Sequence, residues 1–284
     1  MNNVRLGRDS KAIILGLLSR FILLVYAATI LYPIFWTVTM SLKPNHQIFS
    51  NLWGLPQELA FDNFVRAWNA SRIGDAFTNT VFITIMTNLI VLTVCIPVSY
   101  TLGRIQFKGR AAIRAIIISG MLFPQITMLL TQYIGLLRIG LVNTYTGIFL
   151  LYLAVSVAFT VFLLSNFFAS IPREYEESAM LDGCGHWRTL WFVAVPMAWP
   201  GIMMLTILNT LSVWNEYMYA LTFLQTDNMR TIAVAVSAMM RDVRQATDWG
   251  AMFAAMVILM SMSFIIYAIF QRQIQENVSV GGIK

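Results

Sequence analysis

Long uncharged, apolar runs alternate along the chain with shorter polar segments. The runs fall at Phe21–Leu42, Phe77–Gly103, Ala115–Leu137, Leu141–Ile171, Thr189–Asn215 and Ala251–Gln271. A helix needs about 20 mostly apolar residues to cross the hydrocarbon core of a bilayer. The pattern therefore predicts an all-α membrane protein with six transmembrane helices, in one transmembrane domain, at about those bounds. The fourth and fifth runs exceed one crossing, so their ends should tilt or extend beyond the hydrocarbon. Pro196 and Pro200 should kink the start of the fifth, because proline lacks the amide donor a helix needs. Between the spans, segment 43–76 contains "FDNFVRAWNAS", with Phe61, Phe64, Val65 and Trp68 at helical spacing. That spacing predicts an amphipathic helix lying at the membrane interface.

Composition agrees with the pattern. The 284 residues are 58% hydrophobic and 11% charged, whereas soluble domains carry about 25% charged residues. So few charges cannot cover a surface in water, and lipid is the expected solvent for much of the chain. The net charge of +6 then reads as topology rather than as a nucleic-acid footprint. With both termini in the cytoplasm, twelve of the 19 Lys and Arg fall in internal segments, and "GRIQFKGRAAIR" is the densest cluster. The basic start precedes an apolar run too long for a signal peptide, without a small-x-small cleavage site, so an uncleaved first span is expected. Cys95 and Cys184 do not suggest a disulfide framework, and His46 and His186 lack metal-ligand spacing. No metal site is expected.

One stretch breaks the apolar pattern, "EYEESAMLDGCGHWRTLWFVAVP" from Glu174 to Pro196. Pro172 suits a first helical turn, and Glu174, Glu176 and Glu177 suit the positive end of a helix dipole. Arg173 and Glu177 have i,i+4 spacing for an ion pair. Gly183 suits the residue just past a helix C-terminus, and a second short helix can start near Gly185. Tyr175 and Ala179 then share a stripe with Ile171, beside Met180 and Leu181, while Glu174, Glu177 and Asp182 lie on the other side. A loop helix resting on lipid headgroups is the plain alternative. Such helices favour Lys and Arg, however, and this one carries four acids and one Arg. Small residues Ser178 and Ala179 beside Glu177 also permit close approach by a protein, so a knob offered to a cytosolic partner reads better.

This stretch resembles the signature of permease subunits of bacterial ABC importers: Glu-Ala-Ala, three residues, Gly, nine residues, Ile-x-Leu-Pro. The chain has Glu177-Ser178-Ala179, Met180-Leu181-Asp182, Gly183 and, nine residues on, Val193-Ala194-Val195-Pro196. Ser replaces the first Ala, and Val replaces both Ile and Leu. "LYPIFWTVTMSLKP", "GRIQFKGR", "SVWNEYMYAL" and "SVGGIK" extend the likeness over nearly the whole chain, to the second permease of carbohydrate importers of the maltose type. The resemblance implies the type I ABC importer permease fold in a multi-pass protein of the bacterial inner membrane. It implies partners as well: a second homologous permease in a heterodimer, two ATPase subunits, and an extracytoplasmic sugar-binding protein. Residues 172–184 become a coupling helix, with Tyr175, Glu177, Ser178, Ala179, Leu181, Asp182 and Gly183 toward an ATPase and with Gly281 and Gly282 of the tail nearby. None of Lys11, Lys43, Lys108 and Lys284 follows a Gly, so no phosphate-binding Gly-Lys-Ser/Thr exists here. No cofactor is expected on this chain, and ATP and Mg belong on the partner ATPase.

The spans hold almost no charge, which disfavours a self-sufficient proton-coupled carrier and suits a neutral, hydroxylated solute. Candidates for a pathway are Gln125, Gln132, Asn209, Trp214, Asn215 and Glu216. Each has an alternative role, interhelical hydrogen bonding for the amides and interfacial anchoring for Trp214. The few basic residues at the external ends speak against a glycerol phosphate ester. No Ser/His/Asp set or metal cluster points to an enzyme.

Overall fold

The structure, a computed structural model, describes residues 3–246 and 248–281, with side chains over 15–70, 72–241 and 248–271. Its helices are α1 Asn3–Ser41, α2 Asn45–Ser50, α3 Asp62–Asn69, α4 Ile73–Arg104, α5 Arg110–Ser119, α6 Gln125–Arg138 and α7 Tyr145–Ser170. After them come α8 Glu174–Leu181, α9 His186–Thr189, α10 Val195–Met197, α11 Trp199–Trp214, α12 Met218–Phe223, α13 Ile232–Ala246 and α14 Trp249–Gly281. No strand occurs among the described residues. Segments Leu15–Ser41, Ile73–Arg104, Tyr145–Ser170 and Trp249–Gln271 are long and apolar enough to cross a membrane. Two bent helix pairs raise the number of spans to six if each pair is one crossing. The chain packs as two compact units, Met1–Ala70 with Met239–Ile258, and Ser71–Ala238 with Leu259–Lys284.

The first unit is tied together by α3. Asn63 is fully buried and donates to the carbonyls of Ser41 at 2.8 Å and Lys43 at 2.9 Å. Arg66 on the next turn donates to Asp248 at 2.9 Å, and Asn45 donates to the same carboxylate at 3.0 Å. Burial pushes the Asp248 carboxyl up, but Arg66, Asn45 and the Ala251 amide outweigh it and hold it below the ordinary aspartate value. Phe61, Val65 and Trp68 are exposed while Asn63 and Ala67 point inward. The polar Asn63 and small Ala67 thus face the unit's interior, and the apolar side chains face outward.

The second unit is built on α4 and α7, which pack together more extensively than any other helix pair. Thr144 caps α7, its hydroxyl accepting from the Gly147 amide at 3.1 Å. At the other end Gly103 lets the backbones close up, since a Cβ there would meet the Ser165 carbonyl oxygen at 2.7 Å. The expected span 115–137 is not straight. Arg110–Leu122 and Gln125–Arg138 meet at 103°, because Pro124 offers no amide and forces Phe123 into extended backbone, with φ −87 and ψ 123. The apolar run 189–215 is bent by 75° between Met197 and Trp199. Near its start it is underwound into a π-helical stretch, Leu190–Ala194, and the break falls at Ala198, between the two prolines.

Candidate functional site

The acidic hairpin is α8, a glycine turn and α9. Its closure follows from local chemistry. The Cys184 amide reaches back to the Ala179 carbonyl at 2.9 Å and the Gly183 amide to Met180 at 3.0 Å, the paired bonds of a Schellman cap. That cap needs a left-handed residue, and Gly183 sits at φ +85 with open space around it. The turn leaves Glu177, Ser178 and Asp182 exposed. Tyr175, Leu181 and Trp187 stand out beside them, Leu181 at 89% exposure. Acid and apolar groups together on an exposed tight turn form a surface suited to a protein partner rather than to water alone.

Two residues of the stretch face the other way. Ala179, expected at the docking surface, is buried within this chain, and so is Glu176. Arg173 and Glu177 form no ion pair, and the acid that pairs is Glu176. Its carboxylate accepts from Arg104 Nε at 2.8 Å, with side chains only 5% and 11% exposed. Arg104 Nη1 also donates to the Ile171 carbonyl at 2.8 Å, tying the last turn of α4 to the start of the hairpin. Arg110 closes the same end by donating to the Leu102 carbonyl at 2.8 Å. The hairpin is therefore clamped to α4 by a buried charge pair. The sequence does not mark Glu176 for burial, since its partner lies 72 residues away. Gly281 is the last residue of α14, and Gly282 lies outside the described residues.

The six pathway candidates separate. Gln125 and Gln132 on α6 line one cavity of about 260 Å³ at the bend, together with Tyr219 of α12. Trp214 is fully buried, donating to the Leu259 carbonyl at 3.1 Å and meeting Phe77 edge-on at 5.4 Å. It closes a different cavity of about 310 Å³, where Asn88 donates to Thr210 Oγ1 at 3.1 Å. Asn209 is buried, with its amide nitrogen unpaired. Asn215 turns back to the Leu211 carbonyl at 2.8 Å. Glu216 is a holder: it accepts from the amides of Tyr219 at 2.7 Å and Ala220 at 2.9 Å, and from the Tyr152 hydroxyl at 2.7 Å. It thereby caps α12 and orients Tyr219. Sequence reasoning did not single out Tyr219, which lines the cavity with Gln125 and Gln132. Among the described residues no three His, Cys, Asp or Glu side chains converge on a metal position.

The described residues are all-helical, with two bent helix pairs and an exposed acidic glycine hairpin. Residues 95–280 match the family described as binding-protein-dependent transport system inner membrane component, and the chain belongs to it. It is a multi-pass component of the inner membrane. It is 32% identical over 269 residues to the diacetylchitobiose uptake system permease protein NgcG of Streptomyces coelicolor, covering 93% of this chain and 87% of that one. It is 34% identical over 263 residues to the probable ABC transporter permease protein YurM of Bacillus subtilis, covering 92% and 86%. The fold matches, at TM-score 0.78 and 24% identity, a crystal structure of a bacterial ABC transporter for alginate import, covering 93% of this chain and 96% of that one. The fold is that of an ABC importer permease.

Proposed function

We propose that this chain forms half of the translocation pathway of an ATP-driven, binding-protein-dependent sugar importer. The Glu174–Gly183 hairpin docks an ATPase subunit, so that closure of the ATPase pair reorients the spans. A second permease completes the pathway, two ATPase subunits bind ATP and Mg, and an extracytoplasmic protein delivers the sugar. This chain itself carries no enzymatic activity. Both termini lie in the cytoplasm, as the Lys and Arg distribution favours. The observation that carries the reading is the hairpin: its outer face is exposed and acidic, while its base is locked to α4 through Arg104 and Glu176. A handle must be free on one side and rigid on the other. The carbohydrate class is supported by the relative named for diacetylchitobiose uptake.

The test is pull-down of the tagged chain from its native membrane, followed by uptake in proteoliposomes holding the recovered partners. Labelled diacetylchitobiose, maltose and glycerol 3-phosphate serve as probes. A P-loop ATPase and a second permease should be recovered, and a saccharide imported with ATP. Glu177→Ala should weaken docking by about 1–3 kcal/mol through a lost charge-assisted contact. Gly183→Pro should abolish uptake, because proline cannot adopt φ +85. Normal uptake in both variants, or recovery of the folded chain alone, sinks the reading. Import of glycerol 3-phosphate without any saccharide changes the substrate class.

A further inference from the structure

The cavity at the bend of α5 and α6 has a polar wall, where the Tyr219 hydroxyl donates to the Gln125 carbonyl at 3.3 Å. Gln125, Met128 and Gln132 present one face of α6 to it, and Phe123, Phe159 and Tyr219 complete the aromatic side. The Gln132 side-chain oxygen is buried there without a hydrogen-bond partner. A buried amide oxygen left unpaired carries a desolvation cost, which a hydroxyl donor arriving in the cavity would relieve.

A second cavity, of about 380 Å³, lies beside the neighbouring face of α6. It is lined by Leu129, Leu130 and Tyr133, and across from them by Leu221, Thr222 and Gln225. Gln225 donates to the Tyr133 hydroxyl at 3.1 Å. The two cavities are bridged by an aromatic chain. Tyr133 lies 5.7 Å from Phe223, and Phe223 stacks on Tyr219 at 6.0 Å with an interplanar angle of 16°. Glu216 holds this chain in place through the Tyr219 and Ala220 amides. Amides that exchange hydrogen bonds with hydroxyls, beside aromatic faces that cover apolar C–H surfaces, are the groups a sugar ring needs. Among the described residues lining the two cavities, none is charged. A phosphate or carboxylate would find no counter-charge there. Each cavity is near the lower end of small-molecule pocket sizes, about 300 Å³, which is room for one ring.

We infer that the two cavities along α6 are consecutive subsites for a neutral saccharide of at least two rings, with Gln132 and Tyr219 serving the inner ring and Tyr133 and Gln225 the outer. This inference rests on the sugar-importer reading and deepens it: the chain contacts its substrate directly rather than only walling the pathway. Gln132 spends its free oxygen on the inner ring, and Gln225 can exchange its bond to Tyr133 for one to the outer ring.

The experiment uses the complete importer in proteoliposomes with saturating loaded binding protein, and reads disaccharide import per ATP hydrolysed. Labelled diacetylchitobiose is the probe, with maltose as the second disaccharide. Gln132→Ala and Gln225→Ala should each lower import per ATP by about fivefold, the equivalent of one lost neutral hydrogen bond. Co-purification of each variant with the ATPase and the second permease verifies folding and docking. Gln225 is exposed, so its variant keeps the test valid even if Gln132→Ala is unstable. Unchanged import per ATP in Gln225→Ala, or in a folded Gln132→Ala, overturns the subsites while leaving the importer reading intact. A wild-type importer that moves no saccharide overturns both.

Discussion

Arg104 and Glu176 are both removed from water, and each would be costly to leave there alone. The guanidinium also bonds the Ile171 carbonyl, so that helix end, hairpin and charge are tied together, while Arg104 Nη2 stays buried without a hydrogen-bond partner. Replacing either member singly, Arg104→Met or Glu176→Leu, leaves an uncompensated buried charge and should cost about 3–5 kcal/mol. The double variant should regain most of that loss, because apolar groups of similar volume can fill the same space. Thermal unfolding of the purified chain in mild detergent measures all three, and additive losses in the double variant would show that the two side chains do not act as a pair. The sequence made the hairpin acids visible, and the glycine turn with them. It did not reveal which acid turns inward, since that depends on a guanidinium delivered by the far end of α4.

Among the elements, α4 and α7 carry the frame, and their close approach depends on one missing methyl group. Gly103→Ala would place a Cβ 2.7 Å from the Ser165 carbonyl oxygen, a backbone atom that cannot swing aside. The helices must separate, at a cost of about 1–3 kcal/mol. Gly135→Ala in α6 meets nothing within 4 Å and should be neutral or slightly stabilising, since alanine is the better helix former. Unfolding midpoints of the two variants should therefore move apart, and equal shifts would remove the packing argument. The bends belong to the same scale. Prolines at 196 and 200 marked where amide donors are missing, whereas the break at Pro124 was not anticipated. The angles of 103° and 75° came from packing, because a proline permits a range of bends and its neighbours select one.

For the molecule in its membrane, the orientation of the chain is open to direct test with its own cysteines. Cys184 lies in the hairpin turn and is partly exposed, whereas Cys95 is fully buried in α4. With cytoplasmic termini, a membrane-impermeant maleimide should label Cys184 in inside-out vesicles stripped of peripheral subunits, and not in right-side-out vesicles. The opposite pattern would invert the topology. Membrane residence, helical class and the acidic glycine hairpin were determined by the sequence alone. Each rests on local quantities: the length of an apolar run against the thickness of a bilayer, a proline's missing donor, a glycine's freedom at positive φ. Tertiary structure decided the rest. It turned Glu176 inward and Glu177 outward, made Glu216 the cap of α12, sent Trp214 into the core, and brought Gln132 beside Tyr219. Those outcomes depend on which groups arrive from distant parts of the chain to satisfy a buried charge or an amide, and no local pattern specifies that.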